Sequence, residues 1–413
     1  MLIEFSVANF RSFRERQTFS MVAASRLGNK ENTFLPSVDG EKLPPLLKVA
    51  AIYGPNASGK SNLVLALDTL FKITNYASHP DTLFPVSPFR FDPELLNKPS
   101  EFEIHFITGR TRYQFIVHLT ASRIVYECLI SYPKGKEVLL YERSFNGITD
   151  DYKLGELEGS PEIHSAWKYI TSGRHLFIAQ ASIASSDENT QLKTPFGWLS
   201  KGILIFTEHT FETFSTGTRH FISTDEETSQ EISSFLNDLD IPVSKVKVEY
   251  EENISDPFSS SEAFRDIANK SKTTLTHKSA LGEAEFDYSE ESTGTRNLFG
   301  FWLPWANLSA NSSAEKRVLI VDELDSSLHP QIVENLVRQH LLNKTPAQLI
   351  FTTHSTHLMS SKLMRRDQFW VTERDKNAAT KIYSVYDFSG REGEGIEKRY
   401  FEGRYRGLPF IRR

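Results

Sequence analysis

At 413 residues and 47.1 kDa the chain can bury a large core and is long enough for two or three lobes. Its 39% hydrophobic and 24% charged residues are ordinary for a soluble globular protein, and a net charge of −6 excludes a general attraction to nucleic acid, leaving only local basic patches. The single cysteine, Cys128, excludes an internal disulfide and a thiolate zinc site, and points to a reducing compartment and a buried, inert thiol.

The first residues, Met1-Leu2-Ile3-Glu4-Phe5, lack a basic leader and place Glu4 inside the first apolar stretch, so no secretion signal is expected. No run approaches the ~18 uninterrupted apolar residues of a membrane span. The expectation is a soluble, cytoplasmic protein without a membrane partner. Alternation of Leu2, Phe5, Val7 and Phe10 predicts a half-buried strand, with a second over Gln17 to Val22. Residues 24–45, rich in Gly, Asn and Pro, predict an irregular loop. An apolar run from Leu46 to Tyr53 predicts a strand, and leucines at helical spacing predict a helix from Asn62 to Tyr76. From Glu101 to Glu142 the alternation predicts antiparallel meanders. Between 150 and 280 the pattern predicts helices around Glu162 to Tyr169 and Gln230 to Leu239, then a mobile excursion over Ile254 to Ala280. The acidic clusters Asp225-Glu226-Glu227 and Glu251-Glu252 read as solvated surface.

Between the strand at Leu46 to Tyr53 and the helix after it lies Gly54-Pro55-Asn56-Ala57-Ser58-Gly59-Lys60-Ser61. Its glycines let the backbone curl until several N–H groups face one anion, and the helix N-terminus adds partial positive charge. Lys60 is placed to neutralise β- and γ-phosphates and the Ser61 hydroxyl to ligate Mg²⁺. Later, the apolar run Val318 to Val321 ends in Asp322-Glu323, as a buried parallel strand does when it delivers carboxylates to its C-terminal edge. Asp322 would hold Mg²⁺ through water, and Glu323 would orient or deprotonate the attacking water. Upstream sits Ser292-Thr293-Gly294-Thr295. Downstream come Leu324-Asp325-Ser326-Ser327-Leu328-His329-Pro330 and then Thr352-Thr353-His354-Ser355, following the strand-like Gln348 to Phe351. His354 and His357 have no third metal ligand at matching spacing, which argues against zinc.

In this order the segments resemble the ABC-type ATPase heads of the SMC, Rad50 and OLD group, and their wording is closest to the AAA15 family of bacterial ATPases, which includes RloA-like defence proteins. The resemblance rests on Ile3-Glu4-Phe5 to Asn9-Phe10-Arg11-Ser12-Phe13, Ile52 to Asn62, Glu291 to Arg296, Val321 to Asp325, Phe351 to His354, and the tail Tyr400 to Pro409. It spans the chain, with its specific wording near the two termini. It implies an α/β fold: a P-loop head with an antiparallel β-lobe, a mixed insertion and no long coiled coil. The implied domains are 1–150, with the phosphate loop and β-lobe; 151–280, an insertion; and 281–413, with signature, Walker B, D-loop and switch histidine. Asn56, Ser58 and Asn62 would join Gly54, Gly59, Lys60 and Ser61 around the phosphates, with Arg11 near the base or phosphates. Ser292 and Gly294 would meet the γ-phosphate on the opposite subunit, Asp325 would cross the dimer interface, and His354 would contact the γ-phosphate in cis. The signature lacks the usual Leu-Ser-Gly-Gly-Gln wording, and no Q-loop glutamine stands out.

The function so implied is Mg²⁺-dependent ATP hydrolysis by a homodimer that switches an effector nuclease or toxin, acting in trans, in antiphage defence. Lys60 and Asp322 lie 262 positions apart, too far for a typical AAA+ module. Only 59 residues follow His354, too few for a TOPRIM nuclease domain. The alternative is a DNA-binding repair or chromosome-maintenance ATPase, weakened by the absence of heptads for coiled-coil arms. A transporter engine or a small-molecule kinase fits less well. Arg296 is equally suited to phosphate, DNA or a helix end. The tail cations Lys398, Arg399, Arg404, Arg406, Arg412 and Arg413 read as a solvated face, with Tyr400, Phe401 and Tyr405 as core packing.

Overall fold

Two-residue alternation of apolar side chains builds the first sheet of the computed structural model, which describes residues 1–74, 83–185, 190–250, 271–309, 317–390 and 395–408. The strands are β1 (Leu2–Ala8), β2 (Gln17–Ser20), β3 (Thr33–Phe34), β4 (Leu46–Leu47), β5 (Val49–Tyr53), β6 (Ser100–Thr108), β7 (Thr111–Leu119), β8 (Ile124–Tyr132), β9 (Val138–Phe145) and β10 (Asp150–Leu154). Seven of them form an antiparallel sheet in the order β10-β9-β8-β7-β6-β1-β2. The register sets Phe5 beside Ile104 and Phe115 beside Leu129, so that one face buries Phe5, Phe102, Ile104, Phe115 and Leu129 almost completely. Cys128 is buried on β8, where desolvation pushes its thiol up to about 11 and leaves it inert at neutral pH.

A second sheet runs β11 (Ile203–Phe206), β15 (Val318–Val321), β16 (Gln348–Thr352), β5, β17 (Phe369–Arg374) and β18 (Thr380–Ser384). β5 pairs in parallel with both β16 and β17, and all five of its residues are buried, as expected of an inner parallel strand covered on both faces. The apolar run from Leu46 is nonetheless broken at Lys48. This buried lysine donates to the carbonyls of Leu341 and Asn343 at 2.9 and 3.0 Å. At the end of β5 the chain turns into α1 (Lys60–Thr74). Gln348 is fully buried and stitches β16 to β1, accepting from Leu2 N at 2.7 Å and donating to Leu2 O at 2.9 Å.

Packing divides the chain into two units. The first comprises Met1–Leu204, Ser312–Ile320 and Leu341–Arg413, and the second Ile205–Asn311 and Val321–His340. The first also carries α2 (Pro161–Ile170), α3 (Phe177–Ala184) and α4 (Thr190–Lys201). Helix α3 is held by Glu127, a fully buried carboxylate that accepts from the backbone N–H groups of Phe177 and Ile178 at 2.8 and 3.0 Å and from the Tyr141 hydroxyl at 2.7 Å. The second unit contains α5 (Phe211–Thr224), α6 (Glu226–Asp238), β12 (Val243–Tyr250), β13 (Ser271–Ser279), β14 (Gly282–Asp287) and α7 (Thr293–Ser309), and most of α8 (Pro330–Leu342). Its core is aromatic: Phe206 packs edge-on against Phe301 at 5.4 Å, and Tyr288 lies 5.1 Å from Phe299.

The helices expected near residues 162–169 and 230–239 are present as α2 and α6, and Asp225 caps α6 by accepting from Glu227 N and Thr228 N. The excursion expected over 254–280 is overturned for Ser271–Ser279, which forms β13 and buries Thr273 and Leu275 between two partners. Its polar Ser, Lys and Thr residues read as a loop, but the β-branched threonines suit a strand. The rest of that stretch, Glu251-Glu252 and the end of the helix expected at Tyr76 lie outside the described residues. The class is α/β with an antiparallel lobe. Among the described residues the longest helix is the 17-residue α7, so no long coiled coil is present.

Candidate functional site

Within the first unit the phosphate loop leaves β5 and enters α1, as its sequence requires. Ser58, Gly59 and Lys60 are buried, whereas Asn56 and Ala57 are exposed at the tip. The Lys60 ammonium donates to Gly54 O at 2.8 Å and Pro55 O at 3.4 Å, folding back across the loop it closes. Two threonines hold the loop from the β17–β18 hairpin. Thr372 Oγ1 lies 2.5 Å from Ser58 Oγ, and Thr380 Oγ1 donates to Ser58 O at 2.9 Å. Gly59 has φ 107°, and a Cβ there would lie 2.1 Å from Thr380 Oγ1, so only glycine fits.

Arg11 is exposed on the turn after β1, where its backbone takes φ 50° and its N–H donates to Ser87 O at 2.7 Å. The next residue ties that turn to the loop. Ser12 Oγ accepts from Asn62 Nδ2 at 2.7 Å and lies 2.7 Å from Thr380 Oγ1, while Ser12 O accepts from Thr380 N at 2.7 Å. The Asn62 amide therefore engages Ser12. Thr372 and Thr380 are 314 and 322 residues downstream of Ser58 in an ordinary β-branched hairpin, and no local signal in the sequence marks them.

A cavity of about 910 Å³ opens beside the loop. Gly54 to Asn56 form one wall, Thr353, His354 and Thr356 another, and the turn after β17 a third. Tyr400, Phe401 and Leu408 of the C-terminal tail close it. His354 is exposed at the end of β16, where Thr353 N donates to Ile52 O at 3.1 Å and Ser355 N to Thr353 Oγ1 at 3.0 Å. The short α9 (His357–Ser360) follows. In the tail, α10 (Ile396–Phe401) buries Tyr400 against Tyr53, with ring centroids 6.3 Å apart, and the Tyr400 hydroxyl donates to Gly407 O at 2.8 Å. Tyr400 and Tyr405 are core residues as expected, but Phe401 is 61% exposed. Adjacent helical positions point about 100° apart, so a helix that buries Tyr400 turns Phe401 outward. The tail cations are partly engaged by their own chain: Arg406 donates to Glu373 at 2.9 Å and to Tyr383, and Arg399 donates to Ser389 O. Arg412 and Arg413 lie outside the described residues.

Within the second unit the start of α7 abuts the turn after β15. Ser292 Oγ accepts from Thr295 N at 3.1 Å, starting α7, and Asn297 Nδ2 donates to Ser326 O at 3.3 Å. A Cβ on Gly294 would stand 2.9 Å from Ser327 O, so this approach depends on glycine. Asp322 and Asp325 are half-buried, and Glu323 is exposed with a left-handed φ of 57°, a costly conformation for a side chain of this kind and a mark of functional sites. Thus Gly54 to Asn62, Arg11 and His354 belong to the first unit, and Ser292, Gly294, Asp322, Glu323 and Asp325 to the second.

The donor set fits a nucleotide with a hard divalent cation. A buried lysine closes the loop, a 15-residue helix starts there, and the Ser61 hydroxyl next to Lys60 is an oxygen donor of the kind Mg²⁺ prefers. Among the described residues no cluster of three His, Cys, Asp or Glu could hold another metal, and no helix is long and apolar enough to cross a membrane. The family described as "AAA domain, putative AbiEii toxin, Type IV TA system" matches residues 49–162 and 177–360. Among solved structures, the chain is similar to one described as "Crystal structure of the SmcHead bound to the C-winged helix domain of ScpA", at 13% identity and TM-score 0.43, covering 92% of this chain and 96% of that one. It is also similar to the "SMC head domain from Thermotoga maritima", at 15% identity and TM-score 0.40, covering 93% and 98%. No curated protein matches.

Proposed function

This chain belongs to that family of AAA domains, and from this premise we propose that it is a Mg²⁺-dependent ATPase whose paired heads switch a separate effector. The observation that carries the reading is the phosphate loop itself: a buried lysine behind a glycine-dependent turn, on the C-terminal edge of a parallel strand and at a helix N-terminus. Lys60 and the loop N–H groups bind the β- and γ-phosphates. Ser61 would hold Mg²⁺, which when bound neutralises phosphate charge, and the same role for Asp322 rests on the sequence alone. Glu323, exposed beyond β15, orients and deprotonates water, and His354 contacts the γ-phosphate from the cavity wall.

Ser292 and Gly294 lie against the D-loop that carries Asp325, so one rigid patch would present all three to a second copy. Two heads sandwiching ATP would close with binding energy and open on hydrolysis, which makes the assembly a switch. Its target is a nuclease or toxin in trans, in antiphage defence. That role rests on the sequence resemblance, and the toxin description of the family is in keeping with it.

The test is a pair of variants assayed by calorimetry and phosphate release. Lys60→Ala should abolish ATP binding, because the cradle loses the charge folded into it. Glu323→Gln should bind ATP but turn over on the order of 10²-fold more slowly. Unchanged ATP affinity in the first variant would place the site elsewhere, and wild-type turnover in the second would remove Glu323 from the mechanism.

A further inference from the structure

We infer that the C-terminal tail latches the switch histidine: Glu397 of α10, through Thr356, is a positioning residue for His354. The inference rests on the reading of His354 as a γ-phosphate contact. The segment that carries His354 is short and is held from both ends. At one end Thr353 N donates to Ile52 O of β5, the strand that leads into the phosphate loop. At the other, Thr356 Oγ1 donates to Glu397 Oε1 at 2.6 Å. A hydroxyl on an ionised carboxylate is among the stronger hydrogen bonds, and both partners are half-buried, where water competes less.

Helix α9 is four residues long, and its N-cap side chain makes no capping bond because it faces Glu397 instead. Glu397 is in turn held in place. Tyr400, one turn along α10, packs on Tyr53 and donates to Gly407 O, and Arg406 donates to Glu373 on the third wall of the cavity. The tail therefore links both sides of the cavity, and His354 projects from the segment it clamps. Cutting the latch leaves the phosphate loop intact while loosening the segment that bears the histidine, and a displacement of about 1 Å at such a contact can cost up to roughly 10²-fold in rate.

The test compares Thr356→Val and Glu397→Ala with the conservative Thr356→Ser and Glu397→Gln, which keep a hydroxyl donor and a carbonyl acceptor. In the full chain, the first pair should lose about tenfold or more in kcat. Affinity for a non-hydrolysable ATP analogue and thermal melting should stay near wild type, and the second pair should recover most of the turnover. Thr356→Val combined with Glu397→Ala should be no worse than either alone, because both cut one bond. Neither should harm a His354→Ala chain further. Wild-type kcat in both disruptive variants, beside an impaired His354→Ala, would overturn the latch alone. So would additive losses, or losses that follow ATP affinity. Wild-type turnover in His354→Ala would instead overturn the reading of the histidine, and the latch with it.

Discussion

Gly59 concentrates the constraint on the nucleotide loop at a single atom position. The space a Cβ would occupy belongs to Thr380, whose hydroxyl holds the Ser58 carbonyl and reaches Ser12. Gly59→Ala must therefore expel that hydroxyl and also adopt φ 107°, which side chains rarely tolerate. The expected outcome is an ATP affinity at least about tenfold weaker, with a stability loss of roughly 1–3 kcal/mol, read by calorimetry and denaturant unfolding. Wild-type affinity would mean that Thr380 moves at no cost. The glycine and the lysine of this loop were legible in sequence because the motif is local. Thr372 and Thr380 were not, because each acts through a contact with a residue hundreds of positions away, and Glu397 was not, because its partner Thr356 lies 41 positions back with no motif joining the two.

At the level of elements, Glu103 shows how the antiparallel lobe depends on pH. From β6 it accepts from His105 at 2.8 Å and from Gln114 on β7 at 2.7 Å, and it pairs with Arg16 just before β2. The His105 hydrogen bond, followed by the Arg16 contacts, holds its carboxyl down to about 2 against a usual 4.5, although burial opposes this. A depressed folded value means stability that is complete above about 4.5 and is lost as pH falls toward 2. Glu103→Gln should therefore be less stable than wild type by about 1–2 kcal/mol at pH 7, a gap that narrows steadily below pH 4.5 in urea unfolding. A gap independent of pH would exclude ionisation as its cause. The lobe itself was legible, since Phe102, Ile104 and Phe106 alternate plainly. Helices α3 and α5 were not: α3 is too uniformly apolar to show a period, and α5 buries Ser215, Thr216 and Thr218, which are weak helix formers.

For the whole molecule the decisive question is whether one chain suffices. If Ser292 and Gly294 serve a partner's ATP, Gly294→Asp, which drives a carboxylate toward Ser327 O, and Lys60→Ala should each be inactive alone. Mixed together they should regain activity on the order of a quarter of wild type, since random exchange gives half mixed dimers with one sound site in two. No recovery from mixtures shown to contain mixed dimers would mean a site complete within one chain. The cavity beside the phosphate loop is completed late in the chain's own synthesis. Its walls come from residues 54–56, 353–356 and 400–408, so the loop emerges from the ribosome long before the surfaces that enclose it. At ordinary elongation rates that interval is on the order of tens of seconds. A nascent chain can curl its glycine turn in that time but has as yet none of the walls that enclose a ligand beside it.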